Sequence, residues 1–562
     1  MTAAKVESEE REAATPQKRK TLQAIEDLQA IVKTLQKELS AIRGNPAQMQ
    51  TQPPQEKRGF KSSSQHDAIF AEMVRDGSPG VITIAVAGAG KTSTLVEGTK
   101  RLRETRPLET MAFVAFNKSV AQTLRGKLPP EVSVNTIHSL CVRSVKTHRG
   151  WNDENRIQNG RVQDVAWRIA KGGGVDRNQV SDVARELNSL WSLAVSTLTN
   201  MADVSALQKM ATDYGMDVEA DSPAFNLVVD MDTHLRQDNS SISFDEILRV
   251  CIEEETPFTT VDTLLIDETQ DLNRLQIEVL KRLAPKRVIA VGDPKQSIYA
   301  FRGSDHRAID LLAQHFGITK RLPLSTTYRC SKAVVQEAQR LVRDIQPLPD
   351  APIGEVVERD PGDLNATLSN LRPGDLVLSR NNAPLMAALL RGITTLGWSR
   401  ACIIGGDGGK ALLSHIERAE QVAGSSDPTV LTQTITQDGE GRVRRFEEQG
   451  QIAAANMLRD QTKTLILLLR SSKTVADVKS LLGRLTSAKM RSDAVNLSTI
   501  HRAKGLEADR VVLLGHNEMP NRQVLLSGNN ALAAQEWNLL YVAITRARMT
   551  LIKQAIDQDD LI

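Results

Sequence analysis

The sequence predicts an α/β protein of two parallel-sheet units with helical insertions, preceded by a charged N-terminal helix that is a candidate short coiled coil. Three observations predict it. Short apolar runs recur with helical segments between them, they end at polar or glycine-rich turns, and the pattern starts again in the second half of the chain. Such runs mark buried parallel strands, with helices on both faces and loops gathered at the strand carboxyl ends. The stretches Val81–Val86, Met111–Phe116, Thr263–Ile266 and Arg287–Val291 define the first unit. The second series begins near Leu322, with strand candidates Asp375–Ser379 and Arg510–Leu514.

Composition bounds the function classes. A chain of 562 residues corresponds to about four globular units at ~150 residues each. Its 71 Lys+Arg against 68 Asp+Glu leave a net charge of +3, which excludes a histone-like or strongly acidic protein. Hydrophobic residues at 40% and charged residues at 25% are ordinary for folded cores. Runs of about 18 apolar residues are absent, so no membrane span is expected. Glu7, Glu9, Glu10 and Glu12, without an apolar stretch, argue against a leader peptide. Cys141, Cys251, Cys330 and Cys402 form no CxxC pair and read as thiols in a reducing compartment, not as zinc ligands. The expected location is the cytoplasm, or the nucleus in a eukaryote.

Residues 1–43 carry Ile25, Leu28, Val32, Leu35, Leu39 and Ile42 at spacings 3, 4, 3, 4, 3, a heptad seam. Self-association or a protein partner through residues 18–43 is one reading; an amphipathic helix lying on its own domain or free in solvent is the other. Residues 44–64, rich in Pro, Gln and Ser, read as a linker. The first unit is expected over 65–141 and 259–320, interrupted by a helical insertion at 142–258 that holds Trp151, Trp167 and Trp191. The second is expected over 321–402 and 494–555, interrupted by an accessory insertion at 403–493. Gly405-Gly-Asp-Gly-Gly-Lys410 resembles a phosphate loop only superficially, lacks the Lys-Ser/Thr ending, and reads as a flexible turn.

Two motifs carry the chemistry. Ala85-Val-Ala-Gly-Ala-Gly-Lys-Thr92 follows an apolar strand and opens a helix-prone run, so its backbone N–H groups can cradle phosphates. Ala87, Gly88, Ala89, Gly90, Lys91, Thr92 and Ser93 are the expected nucleotide contacts, with Lys91 on the β/γ-phosphates and the Thr92 hydroxyl on Mg²⁺. Leu264-Leu265-Ile266 leads directly into Asp267-Glu-Thr-Gln-Asp271, placing an acidic pair at a strand end. Asp267 can hold the Mg²⁺ shell and Glu268 can orient and deprotonate water. Together the motifs predict nucleotide hydrolysis.

Beyond these two, the motifs resemble those of superfamily 1 helicases of the UvrD/Rep/PcrA type, in the correct order over residues ~60–555. Gln65 resembles the adenine-reading glutamine. Ala115-Phe-Asn-Lys118 and Asn135-Thr-Ile-His-Ser139 resemble the two single-strand-contacting motifs that follow the phosphate loop. Val291-Gly-Asp-Pro-Lys-Gln-Ser-Ile-Tyr-Ala-Phe-Arg-Gly303 resembles the third motif, Thr327-Tyr-Arg329 the fourth, Ser498-Thr-Ile-His-Arg-Ala-Lys-Gly-Leu-Glu507 the fifth and Tyr541-Val-Ala-Ile-Thr-Arg-Ala547 the sixth. The wording around Phe116–Leu140 is similar to a compact subgroup that includes phage helicases and the eukaryotic F-box helicase.

The resemblance implies two RecA-like motor domains, ATP and Mg²⁺ as cofactors, and single-stranded and tailed duplex DNA as partners. It implies Arg329 and Arg546 as arginine fingers, Gln296 as the γ-phosphate sensor, Tyr328 stacked on adenine and Glu507 on the ribose. On the strand path it implies Phe116, Asn117, Lys118, Thr136, His138, Tyr299, Phe301, Arg302 and His501. Core packing is the plainer reading for Tyr299, Phe301 and Tyr328, but only 3% of the chain is aromatic and three of its four tyrosines fall in these motifs. Ala85 replaces the first loop glycine, and Ser93 stands where bacterial relatives usually have arginine. The expected activity is an ATP-driven single-strand DNA translocase and 3′→5′ helicase. The alternatives are a translocase that strips proteins or serves a nuclease partner without unwinding, an RNA-directed motor, and a scaffold with a decayed ATPase.

Overall fold

The computed structural model describes residues 60–152, 156–238, 240–300, 303–487 and 489–557. The heptad seam and the linker up to residue 59 lie outside them, as do Phe301 and Arg302. Among the described residues no helix is long and apolar enough to cross a membrane.

The first sheet has six parallel strands: β1 (Gly80–Ala85), β2 (Met111–Val114), β3 (Val132–Asn135), β4 (Thr263–Ile266), β5 (Arg287–Gly292) and β6 (Arg321–Leu324). Their order is β3-β2-β4-β5-β1-β6. Every residue of β2, β4 and β5 is buried, as expected of strands covered on both faces. Because all six run the same way, the loops after β1, β4 and β5 open at one sheet edge, and β5 lies between the other two. The helices Arg161–Gly172, Val180–Thr197, Val204–Asp213, Ala224–Gln237 and Ile247–Glu253 form the first insertion. They share one hydrophobic core with this sheet. Trp191 is fully buried within it and donates its indole N–H to Asp232 Oδ1 at 2.8 Å.

A short pair, β7 (Thr326–Thr327) and β8 (Gln346–Pro347), leads into the second sheet. That sheet contains β9 (Glu355–Arg359), β10 (Leu376–Ser379), β11 (Ala401–Ile404), β12 (Thr486–Ser487), β13 (Val495–Thr499), β14 (Ala508–Leu514) and β15 (Ala547–Gln554). The order is β12-β11-β13-β10-β14-β15-β9, again all parallel.

Three sequence expectations need correction. The segment near Leu322 does not start the second unit: Arg321–Leu324 pairs with Ile82–Ala85 and closes the first sheet. A strand's sheet is set by its partner, which local sequence does not name. The second sheet also reaches past both edges of the expected accessory insertion, since β11 runs to Ile404 and β12 lies at Thr486–Ser487. Finally, the turn expected at 405–410 is the start of the helix Gly406–Ala423, so only Gly405, with φ +121°, breaks the chain there.

Glu186, on the helix Val180–Thr197, is buried and accepts a hydrogen bond from the Ser222 hydroxyl. Burial pushes its carboxyl up to about 7. From about pH 4.3 to 7 the folded chain holds a proton that the unfolded chain releases, so this group's contribution to stability falls as pH rises. Glu186→Gln is expected to flatten the stability–pH curve over that window by about 3 kcal/mol, read by urea unfolding at pH 5 and pH 8. An unchanged slope would mean the carboxyl ionises normally in the folded chain.

Candidate active site

The turn after β1 has the backbone geometry that its wording as a phosphate loop calls for. Gly88 (φ +71°) and Gly90 (φ +77°) occupy left-handed backbone that other residues adopt at a cost, and the helix Lys91–Thr105 starts immediately after them. Lys91 Nζ lies 3.5 Å from Glu268 Oε1, and Thr92 Oγ1 donates to Asp267 Oδ2 at 2.5 Å. The loops after β1 and β4 are thus joined through the side chains named from each motif. Ala87 and Ala89 are buried, whereas Ser93 is exposed. Burial alone would depress the Lys91 ammonium, but the carboxylates of Glu268, Asp293 and Asp267 hold it above its ordinary value.

The two carboxylates differ in proton affinity. Burial, and then the Glu268 charge, push Asp267 up to about 6. Burial also works against Glu268, yet Lys91, Lys504 and the Gln270 amide outweigh it and keep its carboxyl low. Gln270 Nε2 donates to Glu268 Oε2 at 2.6 Å, fixing the side chain. Glu268 has φ +51°, strain of about 1–3 kcal/mol that persists where surroundings over-determine a conformation. Two neighbouring acids whose surroundings set their proton affinities apart, one buried (Asp267) and one half-buried (Glu268), can take different roles.

From the second sheet and its approach come the remaining groups. Arg546, just before β15, is fully buried, with Nε on Val542 O (2.9 Å) and Nη1 on Leu506 O (3.2 Å). Its Nη2 lies 3.5 Å from Gln296 Oε1, and Gln296 Nε2 donates to Asp293 Oδ2 at 2.6 Å. Burial, then the Arg329 charge, push the guanidinium down to about 9, still charged at neutral pH. Arg329 donates through Nε to Glu507 Oε2 at 2.5 Å, so Glu507 is engaged by an arginine here. Lys91, Thr92, Asp267, Glu268, Gln296, Arg329 and Arg546 all line one cavity of about 260 Å³. Tyr328 is 44% exposed near His66, and Gln65 exchanges two hydrogen bonds with Ser325, Nε2 to Oγ at 2.8 Å and Oε1 from N at 3.0 Å.

A second cavity, of about 510 Å³, backs onto the first and shares Phe116, Asn117, Asp267, Glu268, Asp271 and Tyr299 with it. Phe116 is half exposed and stacks on Tyr299, centroids 6.2 Å apart and planes 11° from parallel. Tyr299 donates its hydroxyl to His501 O at 3.3 Å. His138 and Thr136 line the same cavity. Asn117 and Thr136 also serve the local fold, since each caps a helix, accepting from Val120 N (2.9 Å) and Ser139 N (3.2 Å). Lys118 is exposed at the start of the helix Lys118–Arg125.

The family model for the UvrD/REP helicase N-terminal domain matches residues 70–317, and that for the UvrD-like helicase C-terminal domain matches residues 441–557. The chain belongs to the UvrD-like superfamily 1 helicases. It is 23% identical to F-box DNA helicase protein 1 of Schizosaccharomyces pombe over 502 residues, which covers 83% of this chain and 54% of that protein. It is 26% identical over 297 residues to the ATP-dependent DNA helicase PcrA of Staphylococcus aureus, and 24% over 299 residues to that of Bacillus subtilis. Each PcrA match covers 49% of this chain and 39% of the relative. The chain therefore spans about half the length of the F-box relative and about two fifths of the PcrA relatives.

Three residues of this UvrD-like chain escaped the sequence reading. Phe244 stacks on His138 with centroids 4.6 Å apart and planes 6° from parallel, and is 45% exposed. It precedes the helix Ile247–Glu253 in the insertion, with no motif to mark it. Lys504 Nζ donates to both Asp271 oxygens (2.7 and 2.6 Å) and to Gln296 O (2.6 Å), and lies 4.9 Å from the Tyr299 ring. Its place in the fifth motif was a signal that could have found it. Tyr541 hydrogen-bonds to the phosphate loop, a contact across 454 positions that no local pattern reveals.

Proposed function

We propose that this UvrD-like chain is an ATP-driven single-strand DNA translocase that separates duplex in the 3′→5′ direction. The observation that carries this reading is the cavity of about 260 Å³, where the phosphate loop, the acidic pair and two arginines from the other sheet's side converge. The polarity and the DNA substrate rest on the family resemblance.

Thr92 and Asp267, hard oxygen donors on adjoining loops that a hydrogen bond already holds together, have the donor chemistry that magnesium prefers. Bound there, it would supply charge neutralisation for the phosphates of ATP. Lys91 and the loop N–H groups other than those of Ala87 and Ala89 hold the β/γ-phosphates in this reading. Glu268, kept ionised, orients a water and takes its proton. Arg329 and Arg546 stabilise charge on the transferred group, and Gln296 links Arg546 to the third motif. Because the arginines come from the second unit's side, hydrolysis requires closure of that unit on the phosphate loop, which turns nucleotide state into movement.

On the strand side, Tyr299 with Phe116, and His138 with Phe244, form two stacking platforms that tolerate any base sequence. Lys504 joins the Tyr299 ring to Asp271, so strand occupancy and the acidic cluster share one cation. Tyr299→Ala is expected to weaken single-strand binding roughly tenfold, measured by anisotropy of a labelled oligonucleotide. Unchanged affinity would return the ring to core packing. Strand displacement on 3′-tailed and 5′-tailed duplexes, in DNA and in RNA, tests the reading as a whole. Displacement of 3′-tailed DNA alone supports it; ATP use without displacement points instead to a translocase working with a partner.

A further inference from the structure

Tyr541 belongs to the sixth motif but reaches back to the first. It lies on the helix Asn530–Ile544, is 1% exposed, and its phenol oxygen accepts the Ala87 N–H at 2.9 Å. One residue on, Gly88 O accepts the Tyr328 N–H at 2.9 Å. A Cβ at Gly88 would meet Thr327 Oγ1 at 2.6 Å and Arg329 Cβ at 2.7 Å. Two successive residues of the phosphate loop are thus held from outside it.

Tyr541 is also coupled to Arg546. Only the last turn of the helix separates them: Thr545 N bonds to Tyr541 O (3.1 Å), Arg546 N to Ala543 O (3.2 Å) and Arg546 Nε to Val542 O (2.9 Å). The phenol and the guanidinium therefore move as one body. A buried tyrosine hydroxyl normally needs a partner, and among the described residues the one given to it is the loop N–H. Packing alone would be served by phenylalanine.

We propose that Tyr541 is a positioning residue for hydrolysis, its hydroxyl setting the register between the phosphate loop at Ala87 and the Arg546 guanidinium. The proposal rests on the ATPase reading above. The bond joins loop and second unit only when they are closed together, so it bears on turnover more than on initial nucleotide capture.

The test is steady-state ATP hydrolysis by the full chain and by Tyr541→Phe, with saturating single-stranded DNA. Removal of one oxygen is expected to lower kcat about tenfold, with the KM for ATP and the melting temperature close to those of the parent. A variant with the parent's kcat would overturn the proposal. So would parallel losses in kcat, KM and melting temperature, since they describe a packing residue. An inactive parent chain would instead sink the ATPase reading, which keeps the two failures apart.

Discussion

Glu268→Gln is expected to lower ATP turnover by about 10²–10⁴-fold, the usual cost of a lost general base, while the variant still binds nucleotide. The amide keeps the size of the carboxylate, and its one oxygen can still accept from Lys91 or from Gln270. What is lost, on the function proposed above, is the proton acceptor. In the parent, that acceptor is held ionised by Lys91, Lys504 and Gln270 against burial, and at φ +51° its backbone is fixed in strained geometry. Lys91→Ala should differ in kind, because it removes the cation that meets the phosphates and so weakens binding as well. Parent-like turnover by Glu268→Gln, measured as phosphate release, would remove Glu268 from the chemistry.

Arg546→Ala carries the second large effect. Arginine fingers supply about 10³–10⁵ in rate, and Arg546 sits fully buried with one guanidinium nitrogen 3.5 Å from Gln296. Loss of turnover by that order is expected, with ATP binding retained. Since Arg546 also bonds to Val542 O and Leu506 O, a melting curve must accompany the assay. Arg329→Ala should lose turnover in the same direction and release Glu507 from its ion pair. Normal single-strand-stimulated hydrolysis in Arg546→Ala would mean the guanidinium serves packing alone.

The parts of this site that local sequence made legible are those in which a few neighbouring residues do one job. A phosphate loop needs glycines, Lys91 and Thr92 in a row between strand and helix; an acidic pair needs only a buried strand before it. The parallel sheets were legible for the same reason, because strands such as Leu264–Ile266 are apolar on both faces. Contacts between distant segments were not. The pairing of Arg321–Leu324 with β1, the stacking of Phe244 on His138 and the reach of Tyr541 to Ala87 depend on chain paths that local pattern does not encode. At Gly405–Lys410 glycine content suggested a turn, yet the helix to Ala423 starts at Gly406; propensity is only a weak prior over so short a stretch.

Coupling between strand and nucleotide is tested most directly by phosphate release from ATP and Mg²⁺ by the full chain, with and without single-stranded DNA. The shared wall of the two cavities, at Phe116, Tyr299 and the acidic cluster, predicts hydrolysis that rises severalfold or more when a strand is bound. Hydrolysis indifferent to the strand, or none at all, would contradict it.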